Sequence, residues 1–394
     1  MKVVIQRWVL LTLFNSALLQ ASIYVIRPMI TYRGLELEAD AQMIGILGAI
    51  YALLPVLLAV LFGRAVDKYG ERTFLLVGGL GILLSAVFLR NANSITELAI
   101  FTATAGTAHL AVMVGGQTMM AKRSPADLYD TYFGYYTFSA SLGQMIGPLL
   151  GGVVAGSAGA LPKSTSNAFL AAALLAVIGL IPLVISSKSS NLLNQKKDAS
   201  SEKVRIKPLL QNKGISSAIF TSLIISSTSD ILVVFLPLFG QEKNFTPTAV
   251  GLLLSLRAAM AMLSRFFLGR LSSRFTARNV MIISGAISAV SCGVIFLGDT
   301  LLVSALIIAI AGFALGIGQP LTMAWVSRSS LPEERAMAIS LRLTGNRLGQ
   351  FILPLVAGVT AGSLGVGSVF LVLSGMLGVS TAVSVKNFQS SDRA

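Results

Sequence analysis

Long apolar stretches recur along the whole sequence and indicate a membrane protein. Of the 394 residues, 54% are hydrophobic and 12% are charged, whereas charged residues make up about a quarter of an ordinary soluble protein. A helix needs about 20 mainly apolar residues to cross a bilayer. By that length the sequence predicts an all-α membrane protein with twelve spans, at 8–32, 41–62, 74–90, 97–120, 131–154, 167–186, 214–239, 249–268, 280–297, 302–325, 337–360 and 367–386.

The residue types argue against an enzyme. The sequence has no metal-ligand cluster, no nucleophilic triad and no phosphate-binding glycine loop, and its one histidine leaves little for acid–base chemistry. We therefore expect no metal and no cofactor. Cys292 is the single cysteine, which excludes an intrachain disulfide and favours a packing role. The net charge of +14 is better explained by basic loops against an anionic membrane leaflet than by binding of nucleic acid.

The distribution of basic residues predicts the orientation. Lys2 and Arg7 precede a long apolar segment without a small-residue cleavage site, which indicates a retained first span rather than a signal peptide. An even number of spans places both termini on one side, and the basic loops place that side in the cytoplasm of a cell (inner) membrane protein. Four basic residues are expected outside: Arg33, Arg90, Lys163 and Lys243.

A polar segment divides the chain into two halves. Residues 187–213 are rich in serine, lysine and asparagine and too hydrophilic to cross a membrane. They predict a cytoplasmic linker between one six-helix bundle at 1–186 and another at 214–394. Within the linker, 203–213 fits either a short helix on the lipid headgroups or a solvated run of charge.

The two halves are related by an internal repeat with a constant offset of 206 residues. Parallel six-helix repeats are typical of transporter halves, which hold the substrate near the membrane midplane between them. The matching pairs include glycine, proline, glutamine and basic positions: Gly63 and Gly269, Lys68 and Arg274, Arg72 and Arg278, Gly143 and Gly349, Gln144 and Gln350, Pro148 and Pro354, and Gly152 and Gly358.

The predicted fifth span carries glycines at a spacing of four, which let a neighbouring helix approach backbone to backbone. A tightly packed helix pair without special function is one interpretation. The pattern also resembles the antiporter signature of the drug:proton antiporters of the major facilitator superfamily. That resemblance implies the major facilitator fold and an efflux function. The positions that fall on the signature are Gly134, Gly143, Gly147, Pro148, Gly151 and Gly152.

A second motif, between the second and third spans, resembles the superfamily signature G-x-x-x-D-[RK]-x-G-[RK]-[RK]. In the family this loop latches one end of the transporter in the outward-facing state, although a plain polar turn with positive charges is the alternative. Glu71 replaces a basic residue of the signature, and Ser273 stands in the second half where the aspartate would fall, so the latch is expected in the first half only. Its residues are Gly63, Asp67, Lys68, Gly70 and Arg72.

One motif of the antiporters is missing. These proteins usually carry a buried arginine early in the fourth span and a glycine four residues later. Gly106 matches the glycine, but the arginine position is Thr102. This departure weakens the inference of proton coupling by the usual route.

Away from the span ends, four arginines fall inside predicted spans, where an ionisable group is unfavourable and therefore a candidate for function. Arg257 and Arg347 are expected near mid-membrane, either on substrate or in a structural ion pair. Arg342 precedes Arg347 by five residues, about 140° around a helix, so we expect one of them to pair or snorkel while the other faces the cavity. Arg27, beside Pro28, either lines the cavity mouth or snorkels to the headgroups.

Uncharged and acidic groups within the spans complete the candidate site. Asp230 is the only acid well inside a span and is expected to be either the proton carrier or a fixed partner of an arginine. His109 can join a proton relay or serve as a packing residue. Gln117 and Gln319 can bind substrate or bond across helices.

The excess of arginine over acid in the spans predicts a positive cavity and an anionic or zwitterionic substrate. Combined with the antiporter-like helix, this predicts efflux of an amphipathic small molecule, such as a drug or metabolite, by alternating access in exchange for protons, with the proton gradient as energy source. The alternatives are an uptake symporter for an organic anion and a lipid or glycolipid flippase. Beyond substrate and membrane lipids no partner is expected, and the family resemblance implies a monomer.

Overall fold

The computed structural model describes residues 6–125, 128–185, 206–331 and 334–388. These residues form a helical protein without named strands. The helices are α1 (Arg7–Glu36), α2 (Ala41–Tyr69), α3 (Glu71–Arg90), α4 (Ile95–Arg123), α5 (Tyr129–Ala155), α6 (Thr165–Ile185), α7 (Ile206–Gln211), α8 (Lys213–Glu242), α9 (Pro247–Phe275), α10 (Ala277–Gly293), α11 (Leu301–Ser329), α12 (Arg335–Leu364) and α13 (Gly367–Asn387).

Eleven helices of the described part are long and apolar enough to cross a membrane, and each coincides with a predicted span. The remaining predicted span, 280–297, is divided. Helix α10 has 17 residues and ends at Gly293, after which Ile295–Leu297 form a 3-10 turn. Of the predicted linker, residues 187–205 lie outside the described residues, and its last part contains the short helix α7.

The motif between the second and third spans is mostly helical, and the expected turn is confined to Gly70. Helix α2 continues through Gly63 and Asp67 to Tyr69, and α3 begins at Glu71. Only Gly70 interrupts the helices, with φ of 84°, a left-handed conformation that favours glycine. The predicted spans are generally too short at their ends because a transporter helix extends beyond the hydrocarbon core, where polar residues are compatible with helix.

The glycine spacing in α5 allows close packing against α1. A Cβ atom at Gly143 would lie 2.6 Å from the Cβ atom of Gln20, and one at Gly147 would lie 2.6 Å from the carbonyl oxygen of Ala21. Gly151 lies against Val25 one turn later. Larger side chains would therefore push the two helices apart.

The halves meet along two seams that the internal repeat relates to each other. We call the face of the protein where α1 begins the terminal side and the face where α1 ends the far side. Near the far side, Gly45 of α2 lies against Pro354 and Gly358 of α12, and Gly251 of α9 lies against Pro148 of α5. Gly251 and Pro148 are the repeat counterparts of Gly45 and Pro354, so one packing arrangement occurs twice.

The same four helices are less closely packed toward the terminal side. The positions that a Cβ atom would occupy at Gly63, Gly134 and Gly269 have no neighbouring heavy atom within 4 Å. The seams therefore join the halves on the far side, whereas these three helix faces have free space.

Candidate functional site

A cavity of 250 Å³ lies between the halves, on the terminal side of the two seams. It is lined by side chains from α1, α2, α4 and α5 of the first half and from α8, α9, α11 and α12 of the second. This is the position at which a transporter built from two parallel repeats holds its substrate.

An ion pair connects the halves at this cavity. Arg27 of α1 donates from Nη1 to Oδ1 of Asp230 of α8 at 2.5 Å, and the two side chains are 7% and 17% exposed. The guanidinium group also lies 4.8 Å from the ring centre of Tyr51. Arg27 thus lines the cavity and is paired with a carboxylate. Asp230 is the partner of an arginine in this structure, which is one of the two roles that the sequence leaves open.

Three further arginines line the cavity without a carboxylate partner in the described residues. Arg257 is 7% exposed, and its side chain makes neither an ion pair nor a hydrogen bond with any described residue. Arg347 donates to Oε1 of Gln350 at 3.0 Å, and Arg265 donates to Oγ of Ser141 at 3.3 Å. Because Asp230 neutralises only one guanidinium group, the cavity keeps a large excess of positive charge.

Arg265 is not a candidate by sequence because it falls near the end of the predicted span 249–268. Helix α9 continues to Phe275, which places Arg265 ten residues before the helix end rather than at a headgroup. The spacing between Arg257 and Arg265 is the sequence feature that could have identified Arg265, because eight residues correspond to about 80° around a helix and two turns along it. Both arginines therefore lie on one face of α9.

His109 belongs to a polar network in the wall of the cavity. Its Nδ1 lies 2.7 Å from the Tyr51 hydroxyl group, and its Nε2 lies 3.3 Å from Oε1 of Gln20. An amide oxygen accepts, so Nε2 carries the hydrogen and the Tyr51 hydroxyl group donates to Nδ1. This network reaches the ion pair through Tyr51, whose ring contacts Arg27.

The two predicted glutamines have different positions. Gln319 lines the cavity, and its Oε1 accepts from Nη2 of Arg342 at 2.7 Å. Arg342 is thereby held against α11, while Arg347 faces the cavity. Gln117 is exposed and is not among the cavity-lining side chains. It lies one turn beyond Met113, the last lining residue of α4 toward the terminal side.

Thr102, at the position of the missing arginine, is fully buried beside the cavity. It lines a small pocket that Arg27 and Tyr51 also line. A guanidinium group is thus present at this place, but it comes from α1 instead of α4.

The candidate latch joins four helices of the first half at the terminal side. Asp67 pairs with Lys122 at 2.9 Å, and Glu71 pairs with Arg123 at 2.7 Å, so the end of α4 is tied to α2 and α3. Arg72 donates to the carbonyl oxygen of Leu183. In the second half, Ser273 donates within its own helix, to the carbonyl oxygen of Arg270.

The chain shares its sequence pattern and fold with known transporters. It is 26% identical over 292 residues to the tetracycline resistance protein, class H, of Pasteurella multocida, a match that covers 72% of this chain and 71% of that protein. It is 26% identical over 254 residues to the multidrug resistance protein MdtG of Proteus mirabilis, covering 62% and 60% of the two chains.

Solved structures show the same fold at low identity. The nucleoside transporter NupG superposes with a TM-score of 0.76 at 15% identity, covering 98% of this chain and 99% of the other. A D-xylose-proton symporter superposes with a TM-score of 0.77 at 14% identity, covering 97% and 98%. The family model of the Major Facilitator Superfamily matches residues 12–246 and 218–389. The all-α fold and a family match that spans both halves establish that this chain is a member of the Major Facilitator Superfamily.

Proposed function

We propose that this transporter exports a small amphipathic anion by alternating access, in exchange for protons. A negative charge on the substrate is supported by the cavity arginines that have no carboxylate partner in the described residues. The most important is Arg257, whose side chain is buried and makes no hydrogen bond with any described residue. A buried charge without a partner is unfavourable. An anion would supply that partner, whereas an organic cation would be repelled in a low-dielectric site.

The direction of transport is supported by the relatives. Two proteins that match this chain are named for tetracycline resistance and multidrug resistance, and a third is named as a homolog of a multi-drug resistance efflux pump. With the termini in the cytoplasm of an inner-membrane protein, the far-side seams close the cavity to the outside. Substrate would then load from the cytoplasm, as export requires.

Asp230 is our candidate for the proton-carrying group. It is the only acid among the described residues that line the cavity, and its carboxylate holds Arg27. Protonation would remove the charge that holds Arg27, so the ion pair between the halves would separate. His109, which is hydrogen-bonded to Tyr51 in the cavity wall, is our candidate for a second proton-carrying group beside Asp230. The protein would use the proton gradient as its energy source, would need no cofactor and would act as a monomer.

Lipid or glycolipid transport is the second candidate, because one groove favours it. The groove lies between α5 and α9 and has no polar surface. It is lined by Met145, Ile146, Leu149, Leu150, Val153, Leu252, Ser255, Leu256 and Ala259. A lipid chain would fit this lining, and the arginines of the cavity would hold a phosphate headgroup.

The test is proton release from respiring everted membrane vesicles, followed with a pH-sensitive dye. Cationic drugs, anionic antibiotics and organic acids are added one at a time. Proton release with anions, absent in vesicles that lack the protein, is the expected result. A response to cations alone would overturn the substrate sign. Silence across the panel, together with movement of a labelled lipid between leaflets, would favour the second candidate.

A further inference from the structure

The internal repeat places equivalent positions of the two halves around the cavity. A Cβ atom at Gly106 would lie 2.9 Å from the carbonyl carbon of Tyr51, and one at Gly312 would lie 2.6 Å from the carbonyl oxygen of Arg257. Each of these pairs is related by the offset of 206 residues. Tyr51 and Arg257 therefore occupy the same place in their halves, and both line the cavity.

The chemistry at these equivalent places is different. Where the first half has Tyr51 and Ser141, the second half has Arg257 and Arg347. Arg265 adds a third guanidinium group on the same side. The lining that α9 and α12 of the second half contribute, which we call the cationic wall, thus carries each of the unneutralised arginines that line the cavity in the described residues.

The part of the lining that α1, α2 and α4 of the first half contribute is aromatic and uncharged apart from the neutralised Arg27. Tyr24, Tyr51, His109 and Met113 line it, and we call it the aromatic wall. Tyrosine rings offer flat faces for stacking, and a methionine sulfur makes favourable contacts with aromatic rings.

The cavity is therefore divided chemically between the halves. From this division we propose that the substrate is an aromatic anion, held with its acidic group on the cationic wall and its ring on the aromatic wall. The proposal rests on the anionic substrate of the proposed function and adds the aromatic character, the orientation and the residues that select for each. Tyr24 and Tyr51 select the ring, and Arg257 and Arg347 select the acidic group.

The experiment measures equilibrium binding to the purified full-length protein by calorimetry with three compounds of one shape. Naphthalene-2-carboxylate has both the ring system and the charge, decahydronaphthalene-2-carboxylate lacks the aromaticity, and naphthalene-2-carboxamide lacks the charge. The wild type is expected to bind the aromatic acid about 2- to 10-fold more tightly than the saturated acid, the range for aromatic pairs. It is expected to bind the aromatic acid at least about 10-fold more tightly than the amide, the range for charged hydrogen bonds.

The variants separate the two walls. Tyr24→Leu and Tyr51→Leu are expected to bring the ratio of aromatic to saturated acid close to one while the preference for acid over amide remains. Arg257→Gln and Arg347→Gln are expected to weaken both acids by the same factor, about 10-fold or more, and to leave amide binding unchanged. Arg90→Gln is the matched control, because Arg90 is exposed at the end of α3, away from the cavity.

Size-exclusion profiles establish that each variant is folded. If one of the two tyrosine variants or one of the two arginine variants does not fold, the other variant of that pair is measured instead. Equal binding of the two acids by the wild type would overturn the proposal while leaving the anionic substrate intact. Equal binding of acid and amide would overturn the substrate sign of the proposed function as well. Loss of both acids by the same factor in both tyrosine variants would assign those side chains to packing and overturn the aromatic wall.

Discussion

Arg27 and Asp230 form a largely buried ion pair between the two halves, with 2.5 Å between Nη1 and Oδ1. Their helices, α1 and α8, are also joined by a hydrogen bond from Thr31 to the carbonyl oxygen of Val234 at 2.9 Å. In alternating access the halves move relative to each other about a central site. A charge pair that spans the halves at the cavity is thus in the right place to respond both to a proton and to an anionic substrate.

Asp230→Asn should separate binding from coupling. Asparagine can still accept a hydrogen bond from Arg27, but it cannot take up and release a proton. We expect substrate-dependent proton release from everted vesicles to disappear while equilibrium binding of substrate changes by only a few fold. Asp299→Asn is the matched control, because Asp299 is 78% exposed and pairs with Lys243 outside the cavity. Undiminished proton release in Asp230→Asn would remove Asp230 from the coupling role.

Arg257→Met should make the ligand-free protein more stable. The buried guanidinium group has no partner in the described residues, and an apolar side chain of similar length avoids that unfavourable desolvation. We expect a higher Tm in scanning fluorimetry and weaker binding of anions, which is the opposition between stability and function common at binding sites. A lower Tm than the wild type would indicate that Arg257 stabilises the fold and is not held ready for a ligand.

Gly45→Leu should open the far side of the protein. A Cβ atom there would lie 2.5 Å from the carbonyl oxygen of Pro354, so the seam between α2 and α12 cannot close around a larger side chain. In a Cys292→Ser background, a cysteine introduced at Ala258 in the cavity should react faster with a membrane-impermeant maleimide added from outside.

Gly375→Leu is the control for this experiment, because no heavy atom lies within 4 Å of the position that a Cβ atom would occupy at Gly375. Its labelling rate should match that of the protein without the glycine substitution. Equal labelling rates for Gly45→Leu and Gly375→Leu would show that the seam is not the far-side gate.

Asp67→Asn should reduce transport with little change in stability. The Asp67–Lys122 pair is about half exposed on both sides, and such pairs contribute about 0–1 kcal/mol. Transport should fall because the end of α4 is no longer tied to α2, whereas Tm should shift little. Ser273→Asn, at the repeat position in the second half, is the matched control and should transport normally. A flux equal to that of the wild type in Asp67→Asn would show that the Asp67–Lys122 pair is not a latch.

The sequence by itself determined the fold class, because the length of an apolar stretch and the spacing of glycines are local properties of a chain. The number of spans follows from the thickness of the bilayer. Gly143 and Gly147 lie on one face of a helix, which predicts that α5 packs closely against a neighbouring helix. The structure shows that this neighbour is α1. The repeat offset likewise predicts two related halves without reference to any contact.

Only the tertiary structure decided which of the charged groups meet. Arg27 and Asp230 are 203 residues apart, and their pairing depends on the phase and tilt of two helices in different halves. The same reason brings Arg265 into the cavity and leaves Gln117 outside it. Helix periodicity fixes the face on which a residue lies, but the faces that converge on one cavity are set by how the helices pack together, and local sequence patterns do not contain that information.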